Sequence, residues 1–180
     1  YKGDLHRTGY YDTPGIRDLP EPEWTFKTGN WIVASPVIHG ETIYFGSKDK
    51  NFYAVDIATG EEKWKFTTKN RIYSSPAVEG DSVYFGSKDD YVYSLDTVTG
   101  EERWKFQADG NVDSSPAISD GVLYVGSDDG HLYALDLETG KPNWKFKTGD
   151  IIWSSPAIYD GKVYFGSVDG WLYVLDAGTG

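Results

Sequence analysis

The stretch SSPAVEGDSVYFGSKDDYVYSLDTVTGEERWKF, residues 74–106, decides the fold. Its apolar and aromatic residues fall into four short runs, and turn-forming Gly, Asp, Ser or Lys residues separate each run from the next. Alternation of apolar and polar residues with a period of two predicts β-strands. We therefore predict strands at residues 75–78, 83–86, 91–95 and 104–106. No stretch of the chain shows the 3.6-residue period of a helix.

Closely similar sequence recurs with a period of 40 residues. The copies each begin at a tryptophan and cover residues 24–63, 64–103, 104–143 and 144–180, and residues 1–23 precede them as a leader. Four strands in each unit of this length, repeated in tandem, are typical of the blades of a β-propeller. The sequence therefore predicts an all-β fold, a propeller of four four-stranded blades.

Residues that are identical in every copy have structural explanations. Gly46 and its equivalents suit a close approach of two backbones, and Pro36 and its equivalents suit the start of a strand. Asp56, with a Thr-Gly pair shortly after it, can accept backbone N–H groups in a turn. The tryptophans offer large flat faces on which one blade can pack against the next. These predicted blade-docking residues are Trp24, Trp64, Trp104 and Trp144.

Composition excludes several classes of partner. The formal net charge of the 180 residues is −11, which disfavours nucleic acid and anionic membrane surfaces as main partners. No run approaches the roughly 18 apolar residues of a membrane-spanning helix, so we predict no membrane span. Cysteine is absent from the chain, and the sequence therefore predicts neither a disulfide nor a cysteine nucleophile.

The repeated pattern SSPA, DG, VYFGS, DG, LYALD, TG and WKF resembles the PQQ-like β-propeller repeat. That repeat occurs in quinoprotein alcohol dehydrogenases and in outer-membrane assembly lipoproteins of the BamB type. The resemblance spans residues 24–180 and implies that the repeated tryptophans stack on the neighbouring blade. Residues 3–15 resemble the segment before the first repeat of secreted members. This resemblance implies an extracytoplasmic location, which means periplasmic, cell-surface or secreted.

The resemblance does not extend to a dehydrogenase active site. Members with that activity stack their quinone on a vicinal disulfide and bind calcium on residues from long insertions. This chain has no cysteine and no insertion in its 40-residue period. Because function resides in particular sites rather than in the fold, we expect no enzyme activity, no cofactor and no catalytic or metal-binding residues. A fragment of a PQQ-dependent dehydrogenase is the alternative.

The histidines and paired aspartates of the sequence do not predict a metal-binding site. The histidines His6, His39 and His131 lack the spacing of metal ligands. The pair Asp128 and Asp129 superficially suggests a calcium loop but lacks the alternating ligands and the terminal Glu of one. We therefore interpret these aspartates as turn residues.

Positions that differ between the copies are the candidates for recognition. The linker before each SSPA segment emerges on the same ring face as the turn between the second and third strands. This face gathers aromatic and charged residues, as recognition surfaces do. Ordinary packing of rim residues explains the same pattern equally well. The predicted binding face, for an unidentified protein or peptide, comprises Trp31, Arg71, Tyr73, Tyr91, Asp113, His131, Trp153 and Trp171.

The Trp-Lys-Phe segment of each copy completes the preceding blade as its outer strand. The last blade, residues 151–180, therefore lacks an outer strand, whereas residues 24–28 are an outer strand without a blade. Unpaired strand edges favour pairing. Closure within one chain predicts a four-bladed ring, and closure between two chains predicts a two-fold eight-bladed ring. We expect the homodimer. A structural unit that polymerises by strand exchange and a fragment completed by further repeats are the alternatives.

Overall fold

The computed structural model of the chain describes residues 21–180, so most of the predicted leader, residues 1–23, lies outside the described part. Within residues 21–180 all regular secondary structure is β-strand. The strands form four separate antiparallel sheets in chain order. The prediction of an all-β array of propeller blades is confirmed.

The first three sheets share one design, a four-stranded meander in which each strand pairs with the next along the chain. The first blade comprises β1 (Val37–His39), β2 (Thr42–Gly46), β3 (Asn51–Asp56) and β4 (Glu62–Thr67). The second comprises β5 (Ala77–Glu79), β6 (Ser82–Gly86), β7 (Tyr91–Asp96) and β8 (Glu102–Gln107). The third comprises β9 (Ala117–Ser119), β10 (Val122–Gly126), β11 (His131–Asp136) and β12 (Pro142–Lys147).

The turn between the third and fourth strands is built on an aspartate. In the second blade, Asp96 Oδ1 accepts the backbone N–H groups of Val98 at 2.9 Å and of Thr99 at 2.8 Å. The bond from Thr99 N–H is the largest influence on the pKa of Asp96. Burial opposes it, and the hydrogen bond from the Arg103 guanidinium helps to lower the pKa to about 2. Gly100 follows with a φ of 73°, a left-handed conformation that glycine adopts without steric cost. The predicted Asp-Thr-Gly turn is confirmed.

Neighbouring blades pack face to face through large apolar side chains. Between the first and second blades, the rings of Phe52 and Phe85 stack with their centroids 4.0 Å apart, and both side chains are fully buried. On the same interface the Trp64 indole lies against Gly100 and donates its Nε1–H to the Thr97 carbonyl at 3.1 Å. Equivalent bonds run from Trp104 to Leu137 and from Trp144 to Ala177. Each interface therefore combines apolar burial with one indole hydrogen bond.

The fourth sheet has three strands. It comprises β13 (Ala157–Tyr159), β14 (Lys162–Gly166) and β15 (Leu172–Asp176). Among the described residues β15 pairs with β14 alone, and residues 24–28 belong to no strand. Trp24 nevertheless donates its Nε1–H to the Ile57 carbonyl at 3.1 Å, as Trp64 does one blade further on. The segment at residues 24–28 thus takes the place that the outer strand of a preceding blade would have.

The four blades form an open arc. Strand β1 contacts β5, β5 contacts β9 and β9 contacts β13. Backbone N–H groups of Ser35 and Ser75 donate to the hydroxyls of Ser75 and Ser115, both at 2.9 Å, and so link the inner strands. In the described part of the chain β13 does not contact β1. A single chain therefore does not close on itself in this structure.

Candidate binding face

Meander topology places two kinds of loop on one face of the arc. The turn between the second and third strands and the linker that leads to the next blade lie at the same end of an antiparallel meander. Backbone hydrogen bonds fasten linker to turn, from Lys48 N–H to the Trp31 carbonyl at 2.9 Å and from Lys88 N–H to the Arg71 carbonyl at 3.0 Å. We call this surface the loop face. It consists of linkers 29–35, 69–75, 109–115 and 149–155 and turns 47–50, 87–90, 127–130 and 167–170.

Each turn of the loop face contains an aspartate that bonds to its own blade and to the linker that leads into that blade. Asp129 accepts hydrogen bonds from the Tyr133 hydroxyl at 2.6 Å, from Asp109 N–H at 2.9 Å and from His131 N–H at 2.8 Å. Burial opposes ionisation of Asp129, but these hydrogen bonds together lower its pKa. Burial and the bond to Asp129 raise the pKa of Tyr133. The same Asp–Tyr pair recurs as Asp49–Tyr53, Asp89–Tyr93 and Asp169–Tyr173. The interpretation of these aspartates as turn residues is confirmed.

A lysine lies between two aromatic rings on the loop face of the first two blades. Lys48 Nζ is 4.6 Å from the centroid of the Trp31 ring and 4.7 Å from that of Tyr73, which are distances of cation–π contact. The neighbouring cationic groups of Arg71 and then Lys48 favour the phenolate and lower the pKa of Tyr73. Trp31 remains 71% exposed. The structure thus places two residues of the predicted face, Trp31 and Tyr73, against Lys48, and a third, Arg71, close to Tyr73.

On the next blades, charged residues of the loop face form pairs. Lys88 Nζ lies 5.0 Å from the Tyr73 ring and 2.8 Å from Asp113 Oδ2. The hydrogen bond to Asp113 raises the pKa of Lys88 despite partial burial. Further along the face, Trp153 donates its Nε1–H to Asp128 Oδ1 at 2.8 Å. Asp113 and Trp153 are therefore held by a turn residue of the preceding blade.

Tyr91, His131 and Trp171 stand at a different position in the repeat, at or just before the start of the third strand. Lys105 Nζ lies 5.7 Å from the Tyr91 ring. His131 Nδ1 lies 3.1 Å from Asp129 Oδ1, and Trp171 is 69% exposed. The contacts of Tyr91 and His131 are with their own blade, so the structure brings them together with turn and outer-strand residues rather than with the linkers.

Sequence reasoning missed the pairing of turn with linker. Lys88 and Asp128 bond to Asp113 and Trp153, and in both cases 25 residues separate the partners. Lys48 has the same separation from Tyr73. The sequence signal is that both positions differ between copies of the repeat, where Lys stands with Tyr, Lys with Asp and Asp with Trp.

The two ends of the arc present unlike apolar faces. On the first blade, Ile32 is 44% exposed beside a hollow that Phe26 and Phe45 also line. On the fourth blade, Leu172 is 73% exposed, and a second hollow lies next to Gly166. These faces are the other candidate binding surfaces of the chain.

Metal and membrane features are absent from the described part of the chain. Within residues 21–180 no group of three or more His, Asp or Glu side chains is placed to hold a metal ion. The same residues contain no helix long and apolar enough to cross a bilayer. His6 lies outside the described residues.

Meandering sheets of a 40-residue repeat, docked on one another by indoles, define a β-propeller of the tryptophan-docked class. A family model described as outer membrane protein assembly factor BamB matches residues 21–113 and again residues 88–180. The chain therefore belongs to the BamB-type family of PQQ-like repeats, and the family resemblance is confirmed.

Solved structures share this fold at low sequence identity. BamB from Moraxella catarrhalis is 24% identical, with a TM-score of 0.78 over 88% of this chain and 50% of that chain. The computationally designed Ika4 protein is 19% identical, with a TM-score of 0.80 over 89% of this chain and 100% of that chain. A quinohemoprotein alcohol dehydrogenase from Pseudomonas putida HK5 is 19% identical, with a TM-score of 0.74 over 86% of this chain and 34% of that chain. The chain thus spans about half the length of the BamB structure. No curated protein matches it.

Proposed function

We propose that the chain is a non-catalytic propeller scaffold that works outside the cytoplasm and binds a protein or peptide on its loop face. We also propose that two copies close into an eight-bladed ring by exchanging residues 24–28. Membership of the BamB-type family supports the first part. One observation supports the second part. Among the described residues, Gly166 at one end of the arc is uncovered and Ile32 at the other end is exposed, whereas the equivalent residues pack together between neighbouring blades.

Gly166 has no apolar side chain packed against it among the described residues, and it marks the place where a further blade fits. In the first three blades the last glycine of the second strand lies under an apolar residue of the next linker, as Gly46 under Ile72, Gly86 under Val112 and Gly126 under Ile152. These three covering residues are fully buried. Gly166 has no such cover among the described residues, whereas Ile32, the equivalent residue of the first linker, is exposed. Ile32 of a second copy therefore fits over Gly166.

Hydrogen bonding across the interfaces points to the same match. The Thr97 carbonyl accepts both the Tyr44 hydroxyl at 3.0 Å and Trp64 Nε1–H at 3.1 Å. The carbonyls of Leu137 and Ala177 each accept an equivalent pair. In the described part of the chain the Ile57 carbonyl accepts Trp24 alone. Tyr164 of a second copy is the equivalent hydroxyl that would complete it.

The loop face ends in two valines at the positions where turn and linker meet. Within the chain, these positions pair Lys48 with Tyr73, Lys88 with Asp113 and Asp128 with Trp153. The equivalent residues left at the two ends are Val168 and Val33, which are 49% and 48% exposed. Joining two copies brings these valines together and removes apolar surface from water.

Residues 24–28 supply the outer strand that the fourth blade lacks. In the first blade the ladder pairs Phe52 with Phe66 and Ala54 with Trp64. Carried through the repeat, this register pairs Leu172 with Phe26 and Val174 with Trp24. Such pairing satisfies the backbone groups on the free edge of β15, which otherwise forms a template for aggregation.

Two copies suit this closure better than one. The ends of the arc are apart in a single chain, since β13 does not contact β1 among the described residues. An eight-bladed ring turns by about 45° per blade and a four-bladed ring by about 90°, at the two limits of the usual range of blade numbers. Two-fold closure also ends the assembly, whereas a join that does not close would continue as a filament.

The mass of the assembled particle tests the proposal. Sedimentation equilibrium of the full chain over a concentration series should give twice the chain mass of 20.1 kDa. A single-chain mass throughout would contradict the ring, and a mass that rises steadily with concentration would indicate a filament instead. Stoichiometric binding of a quinone together with alcohol turnover would contradict the non-catalytic assignment.

A further inference from the structure

We infer that the loop face of the first two blades binds acidic peptide segments, with their carboxylates on Lys48 and Arg71 and their apolar side chains against the Trp31 ring. The inference rests on the proposed function, because it names the class of partner that the loop face takes. The chain carries a formal net charge of −11 and repels acidic ligands in general. A site for such a ligand therefore requires a local concentration of positive charge.

Lys48 and Arg71 provide that charge. In the described part of the chain neither residue forms an ion pair with a carboxylate. Lys48 Nζ instead lies over the rings of Trp31 and Tyr73, at 4.6 and 4.7 Å. A ring face attracts a cation through its quadrupole but does not neutralise it. The positive charge of Lys48 therefore stays available to a carboxylate while the two rings hold it in position.

The rest of the loop face limits where an acidic ligand can lie. The next cation on the loop face, Lys88, forms an ion pair with Asp113 at 2.8 Å. Beyond this pair the face becomes acidic. Burial and the charge of Asp89 raise the pKa of Asp90, and the charges of Asp128 and Asp129 raise it further. An acidic ligand is attracted to Lys48 and Arg71 and repelled by the carboxylates where the second and third blades meet. This arrangement fixes its position through electrostatic complementarity.

The aromatic rings favour a peptide over a nucleic acid. Trp31 is largely exposed, and Arg71 occupies the equivalent position of the next linker. Trp, Tyr and Arg are the residues enriched at the energetic centres of protein interfaces. A nucleic acid places many phosphates along one surface, and the acidic remainder of this chain would repel them. A peptide with a few carboxylates next to apolar side chains needs only the two cations and the ring.

Fluorescence anisotropy with the full chain tests the inference. The probe is a labelled peptide that alternates Glu with Leu and Phe, and two matched probes carry Gln or Lys in place of Glu. We expect the Glu probe to bind about tenfold more tightly than the Gln probe at low salt, with a loss of affinity as ionic strength rises. The Lys probe should bind weakest at this site.

A pair of charge-matched variants locates the binding. The double substitution Lys48→Gln and Arg71→Gln should weaken binding of the Glu probe about tenfold, because it removes both cations. The control, Lys141→Gln with Lys162→Gln, changes the net charge equally at two exposed residues at the opposite end of the blades. It should leave the affinity unchanged. Thermal unfolding confirms that both variants are folded.

Each contrary result is informative. Equal affinity for the Glu and Gln probes, or unchanged affinity in a folded Lys48→Gln and Arg71→Gln variant, overturns the inference and leaves peptide binding by the scaffold intact. Tighter binding of a single-stranded oligonucleotide than of the Glu probe also overturns it. Failure of all three peptide probes overturns both the inference and the peptide-binding part of the proposed function. Ring assembly is measured separately by mass and does not depend on these results.

Discussion

Gly126 and Gly166 are the same residue of the repeat in two different environments. A Cβ atom added at Gly126 would lie 2.3 Å from Ile152 Cγ2, whereas one added at Gly166 would meet nothing closer than 3.8 Å. Neither glycine has a positive φ, so an alanine at either position needs no unusual backbone conformation. Any difference between the two substitutions therefore reports the presence or absence of a neighbouring blade.

We predict that Gly126→Ala destabilises the folded chain by about 1–3 kcal/mol, the usual cost of overpacking a filled core. Gly166→Ala should leave the stability of the single chain nearly unchanged but weaken the dimer, because the new methyl group takes the place of Ile32 from a second copy. Denaturant unfolding at a concentration that dissociates the dimer measures the first effect, and sedimentation measures the second. A dimer of undiminished affinity in Gly166→Ala would contradict the proposed packing of Ile32.

Some residue-scale features could be predicted from the sequence and others could not. The turn aspartates could be predicted because an Asp followed by Thr and Gly satisfies a local backbone requirement. The position of Lys48 between Trp31 and Tyr73 could not, because a long flexible side chain chooses among neighbours from two blades. Hydrogen bonds within a turn can be predicted from the sequence of one repeat. Contacts between repeats cannot, because they depend on how the blades pack.

At the scale of elements, the predicted strands are present and differ at their ends. The strand predicted at residues 104–106 begins at Glu102, because a bulge after Ser94 lets Leu95 pair with Glu102. Alternation alone does not reveal a bulge, since the extra residue interrupts the period of two. The strand predicted at residues 75–78 starts two residues late, because the first N–H group bonds to a serine hydroxyl of the next linker.

Disulfide trapping tests the proposed pairing of residues 24–28 with β15. Asn51 pairs with Thr67 in the first blade, and the same register places Lys27 opposite Trp171. Opposed Cα atoms in an antiparallel ladder are about 4.5–5.5 Å apart, within the separation of about 4.4–6.8 Å that a disulfide spans. We predict that Lys27→Cys combined with Trp171→Cys forms a covalent dimer on mild oxidation. Non-reducing electrophoresis and mass spectrometry detect it.

The absence of native cysteine makes this cross-link easy to interpret. The matched control combines Lys27→Cys with Lys162→Cys, which lies at the other end of its blade, and should give no covalent dimer. A disulfide within one chain would show that four blades close on themselves. If the double variant sediments as a dimer and yet forms no cross-link, strand exchange in this register is wrong.

At the scale of the whole molecule, the two ends of the arc differ. Among the described residues, the first blade has a docked segment that belongs to no sheet, and the fourth blade has three strands. The sequence predicted this asymmetry, because the repeat begins at its tryptophan. It could not predict whether the ends meet in one chain. The angle between blades depends on side-chain packing at every interface, and a small change per blade accumulates around the ring.

Removal of the N-terminal segment tests the ring as a unit. We predict that deletion of residues 1–28 abolishes the dimer and makes the chain prone to aggregation. The deletion uncovers the first blade, where the Phe26 ring lies 5.8 Å from that of Phe45 and 5.3 Å from that of Tyr53. It also leaves the edge of β15 without its proposed partner strand.

Deletion of residues 1–20 is the matched control for this ring prediction, because it keeps Trp24 and Phe26, and it should preserve both the dimer and its solubility. Light scattering and sedimentation compare the two truncated chains with the full chain at equal concentration. If the chain without residues 1–28 stays soluble and keeps the assembly state of the full chain, the exchanged segment does not close the ring. A loss of the dimer in both truncated chains would instead assign its stability to residues before Glu21.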